Sequence, residues 1–87
     1  MIFPIQIQAA RVLLGFSQQE LAKRASIGLG TVKRIEAARH QLVGTAKTMS
    51  QIQRALEAAG IVFVDQDELS GPGVRLRKPL KLDNPKR

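Results

Sequence analysis

The twenty residues from Gln18 to Ala37, QQELAKRASIGLGTVKRIEA, restrict the fold more than any other stretch of the chain. Apolar side chains fall at Leu21, Ala25, Ile27, Val32 and Ile35, a spacing that sets two short helices face to face across a turn at Ser26 to Gly28. Ala22 stands where the helices would cross, and a larger side chain there would push them apart. Ser17, followed three residues later by Glu20, reads as a capping box that satisfies two orphan backbone donors and fixes where the first helix starts. The pattern predicts helices over Gln18–Arg24 and Leu29–Ala37. In the second, Val32 and Ile35 face inward, which leaves Leu29, Gly30, Thr31, Lys33 and Arg34 outside.

Residues Gly15 to Arg39, GFSQQELAKRASIGLGTVKRIEAAR, resemble the helix-turn-helix of the phage repressor and Cro family, the XRE regulators, and the likeness extends in kind from Ile5 to Gly60. Two positions depart from the family pattern. Ser26 replaces the usual glycine where the turn wants a left-handed backbone, and Gly28 replaces the Ser or Thr that would cap the second helix. The resemblance implies a mainly α fold, a four-helix repressor-like DNA-binding domain; the residues after Gly60, where many relatives carry a fifth helix, read instead as a C-terminal β-hairpin. It implies that Leu29, Gly30 and Arg34 face bases in the major groove, with Thr31 and Lys33 nearer the phosphates. Arg34 is the candidate for reading guanine, because a guanidinium can engage O6 and N7 together. Leu29 is a candidate contact for a thymine methyl.

The 14 Lys and Arg against 7 Asp and Glu give a net charge of +7, which points to a polyanion more than to an acidic small molecule, the plainer alternative being a solvated surface. With 87 residues there is room for one domain and a modest core. Cysteine is absent, so no disulfide framework or thiolate metal site is expected. No apolar run has membrane-spanning length and the N-terminus lacks a signal peptide's basic region, so the expectation is a soluble, cytoplasmic protein without a membrane partner. His40 is the single histidine and has no Ser or Asp partner at informative spacing, so neither a metal, a cofactor nor an enzymatic site is expected.

Pro4 suits the first turn of a helix over Ile5–Leu14 ended by Gly15, with Ile7, Ala10 and Leu14 on one face. Arg11 lies on that same face and needs an acceptor. Only Glu20, Glu36 and Glu57 precede Gly60; Glu20 is engaged by its cap, and Glu36 matches the family position that pairs with this arginine. An Arg11–Glu36 ion pair is therefore expected to tie the first helix to the motif, a phosphate contact by Arg11 being the competing role. Gln18 and Gln19 open the second helix, where free N–H groups and the dipole favour a phosphate. The loop from Arg39 to Lys47 carries phosphate-contacting residue types at Arg39, His40, Gln41, Thr45 and Lys47. Thr45 also reads as the cap of a fourth helix, with Met49, Ile52, Leu56 and Ala59 on one face and Gly60 as its stop.

After Gly60 the period becomes extended: Ile61–Asp65 and Val74–Lys78 read as strands joined by acids and turn formers. The expected organisation is a DNA-binding domain over 1–60, a hairpin over 61–78 and a flexible basic tail over 79–87. A lone hairpin is marginal in water. Ile61, Val62, Phe63, Val64, Val74 and Leu76 are therefore candidates for a homodimer interface, unless the hairpin folds back on its own helices. A two-fold dimer would hold two recognition helices about one DNA turn apart on a palindromic operator. The function expected is a sequence-specific transcriptional regulator, a repressor, on double-stranded DNA. The alternatives are an antitoxin that autoregulates its promoter and binds a toxin, and a protein-interaction adaptor with no DNA role.

Overall fold

Pro4 starts the first helix because its fixed φ suits the first turn and its missing N–H has no intrahelical partner to lose. In the computed structural model, which describes residues 2–82, α1 runs Pro4–Leu14 and ends at Gly15 in the left-handed region, φ 75°. The turn ahead of it is closed by a side chain, since the backbone N–H of Phe3 donates to Gln6 Oε1 at 2.7 Å. α2 spans Gln18–Ala25, one residue longer than the pattern indicates, and Ser17 Oγ accepts from the Glu20 N–H at 3.0 Å. The capping box is only half made. The Glu20 carboxylate accepts from Arg24 Nε at 2.8 Å instead of returning to Ser17, because a cation four residues on is the stronger donor.

Ser26 follows α2 at φ 59°, ψ 45°, the left-handed turn in which glycine is usual. α3 covers Leu29–Ala37, and Gly28 before it makes no side-chain cap. α4 covers Ala46–Ala58, with Thr45 Oγ1 accepting from the Thr48 N–H at 3.1 Å. Gly60, at φ 111°, turns the chain into β1, Ile61–Val64, which pairs antiparallel with β2, Gly73–Leu76. β1 ends one residue before the expected Asp65, and β2 starts one residue before the expected Val74 and ends two before Lys78. Pairing stops at Val64 and Gly73, and in the connection Asp67 Oδ1 instead accepts from the N–H groups of Leu69 and Ser70.

One core joins all six elements. Ile7 and Ala10 of α1, Leu21, Ala22 and Ala25 of α2, Val32 and Ile35 of α3, Ile52 and Leu56 of α4, and Ile61 of β1 form a single buried cluster. Each fully buried Ile or Leu among them contributes about 1.5–3 kcal/mol of transfer free energy. The hairpin is part of that core, since Phe63, Val74 and Leu76 pack against the cluster beside Ile61. Four of the six hairpin residues expected at a subunit interface are thus engaged inside the chain itself, while Val62 is half-buried and Val64 exposed. A further tie is polar. Gln6 is 2 % exposed, and its Nε2 donates to the carbonyls of Gly73 at 3.0 Å and Val64 at 3.2 Å, pinning the end of the hairpin to α1. Pro79–Leu82 are exposed without regular structure; the rest of the expected tail lies outside the described residues.

Candidate nucleic-acid interface

The apolar positions of α3 determine what it shows to solvent. Val32, Ile35 and Glu36 are buried, so the helix presents Gly30, Lys33 and Arg34 as exposed residues, with Thr31 half-buried between them. Leu29 is less available than its place at the helix start implies, being half-buried and packed against the core. Gly30 is not demanded by the fold. A Cβ built there meets nothing within 4 Å, and its backbone is ordinary helix.

A buried ionic network holds α3 against α1 and α2. Arg11 Nε donates to Glu36 Oε2 at 2.8 Å and Arg11 Nη2 to Glu36 Oε1 at 3.0 Å, a two-pronged pair whose side chains are 14 % and 4 % exposed. The third donor, Nη1, reaches the Phe16 carbonyl at 2.9 Å. Donating to the Glu36 carboxylate raises the Arg11 pKa above its ordinary value, against the opposing effect of burial. Gln18 Nε2 donates to Glu36 Oε1 at 3.0 Å. Sequence reasoning gave Gln18 only a phosphate role and missed this second one, although Gln18 follows the cap directly and begins the helix that meets α3.

The remaining polar residues separate into groups. Gln18, Lys33 and Arg39 line one polar hollow of about 290 Å³, together with Gln8, Glu36 and Ala37. Arg39 adopts φ 55°, and its carbonyl accepts from the Ile5 N–H in the first turn of α1 at 3.0 Å. His40 instead borders a small hollow with Phe3, Ile5, Gln66 and Pro72, at the connection end of the hairpin. Gln19 is exposed on the first turn of α2, and Lys47 is exposed on the first turn of α4, beside the Thr45 cap. Arg24 is engaged on the surface, by Glu20 and by the Phe16 ring at 4.2 Å.

Two helices joined by a left-handed turn, the second exposed along a basic ridge and locked from behind by a buried ion pair, define a helix-turn-helix DNA-binding domain. Residues 7–57 match the family model described as helix-turn-helix, and the chain belongs to this Cro-type XRE family of DNA-binding transcriptional regulators. No curated protein matches the chain. Among the described residues, no helix is long and apolar enough to cross a membrane.

Proposed function

We propose that the chain is a sequence-specific repressor that lays α3 in the major groove of a palindromic operator and binds as a two-fold homodimer. The observation that carries the reading is the exposed ridge of Gly30, Lys33 and Arg34 on a helix whose opposite side is fully committed to the core. Arg34 reads a guanine through O6 and N7. Leu29, partly packed, offers its free edge to a thymine methyl. Gly30 costs the helix about 1 kcal/mol relative to alanine. Since nothing inside the protein needs that glycine, its use lies outside, in letting the start of α3 approach the DNA closely. Gln19, Thr31, His40 and Lys47 serve as backbone contacts.

The dimer surface we propose is the outer face of the hairpin, where Val62 stands opposite Arg75 and Val64 opposite Gly73. The hairpin is electrically polar along its length. Asp65, Asp67 and Glu68 sit at its connection, and Arg77, Lys78 and Lys81 at its open end. Two hairpins related by a two-fold axis and running antiparallel place each acidic connection against the other copy's basic end. Selection of bound duplexes from a random pool tests the whole reading. The expected product is an inverted repeat with half-sites about 10 base pairs apart, bound by a dimer in light scattering. Recovery of single half-sites bound by monomer would remove the dimer, and failure to enrich any sequence would remove specific readout.

A further inference from the structure

The polar hollow between α1 and α3 has a composition that the folding of the chain leaves unused. Its one acid is neutralised internally, since both Glu36 oxygens accept from Arg11 and one of them also from Gln18. Its two cations, Lys33 and Arg39, are exposed, and among the described residues the ion pairs are Arg11–Glu36 and Arg24–Glu20, which include neither. Its remaining donor is Gln8, half-buried on α1, whose amide makes no intramolecular hydrogen bond among the described residues. Arg39 is held in an unfavourable left-handed conformation with its carbonyl on the Ile5 N–H, so its backbone is fixed to the helix that carries Gln8.

We infer that Gln8, Lys33 and Arg39 form a clamp for one phosphodiester of the DNA backbone. This makes α1, through Gln8, a nucleic-acid-contacting element in its own right. The clamp rests on the DNA-binding reading above. A concave site with two cations and an amide donor suits the several oxygens of a tetrahedral anion. Lys33 is adjacent to Arg34 in α3, so an anion held here borders the groove that Arg34 enters. A carboxylate in place of the Gln8 amide would occupy the cations itself.

The test is Gln8→Glu in the full chain, with affinity for a random duplex and for a selected operator read at low salt. Binding to both is expected to fall about tenfold or more, with the melting temperature unchanged or raised because the new carboxylate pairs with Lys33 and Arg39. Gln8→Ala should weaken both duplexes to a smaller, equal extent and leave the salt slope unchanged. Lys33→Gln and Arg39→Gln should each reduce that slope by about 0.9. If wild type binds and Gln8→Glu binds equally well, the clamp is refuted while the regulator reading stands; if wild type binds no duplex, that reading itself has failed. Inorganic phosphate titrated against the Gln8 side-chain amide signal distinguishes the source of the anion. Weak binding that duplex DNA displaces supports the clamp, whereas submillimolar binding that DNA does not displace overturns it in favour of a free-anion site.

Discussion

Removing Arg11 while leaving Glu36 in place is the sharpest perturbation the structure offers. The pair is 14 % and 4 % exposed, and truncation at Arg11→Ala deletes both bonds to the carboxylate and the one to the Phe16 carbonyl. Glu36 would then keep only the Gln18 amide as a side-chain donor. Stranding one member of a buried pair costs about 3–5 kcal/mol. At about 0.05–0.15 kcal/mol per residue, a chain of 87 residues has roughly 4–13 kcal/mol in total, so this single change removes a large part of it. For a domain of this size each kcal/mol shifts the melting temperature by about 4–8 °C, giving a fall of at least roughly 12 °C. The chain has no Trp and no Tyr, so the assay is helical circular dichroism through urea and thermal unfolding. The double variant Arg11→Met with Glu36→Leu removes both charges and should recover most of the loss. The reasoning fails if Arg11→Ala costs under about 1 kcal/mol, or if the double variant is as unstable as the single one.

Ser26→Gly should stabilise the fold by about 0.5–1 kcal/mol, since Ser26 sits at φ 59°, and leave DNA affinity unchanged; a lower urea midpoint would contradict the strain argument. Gly30→Ala should raise stability by about 1 kcal/mol and weaken operator binding at the same time, so equal or tighter binding would show that close approach is not what the glycine provides. Gln6→Leu leaves the Phe3 N–H without its partner and frees the hairpin end, at a cost of about 1–3 kcal/mol, with hydrogen exchange at Phe3 and across Gly73–Leu76 expected to accelerate before that of the helices. Val64→Glu should give a monomer in light scattering whose melting temperature no longer rises with protein concentration, and a persistent dimer would place the interface elsewhere.

What could be read from the sequence was whatever follows from local periodicity and backbone conformation. Val32 and Ile35 define the buried side of α3, Thr45 caps α4, and Ser26 takes the left-handed turn, because each is decided within one or two helical turns. A cation on the apolar side of α1 required an acceptor, and the buried Glu36 is the acid that meets it. The misses share another origin: they depend on which of two satisfying partners wins once the chain is folded. Glu20 had both the Ser17 N–H and the Arg24 guanidinium within reach, and the charged donor prevailed. Gln6 lies beside Ile7 in a run that alternates Ile and Gln; its place in the first turn lets it cap the Phe3 N–H, but nothing local says that its amide nitrogen will be sealed inside while that of Gln8 is not. One of these amides is sealed against two hairpin carbonyls and the other is left half-open beside Lys33 and Arg39, a difference made by an element more than fifty residues away. The apolar IVFV run likewise does not say whether a second subunit or the chain's own helices will cover it. Ile61 and Phe63 meet the intramolecular core, while Val62 and Val64 turn outward. Strand alternation makes such a division possible, but the placement of α1 and α4 decides which half is buried. One face of the hairpin therefore completes the core, and the other, with Val62, Val64 and Arg75, lies outside it.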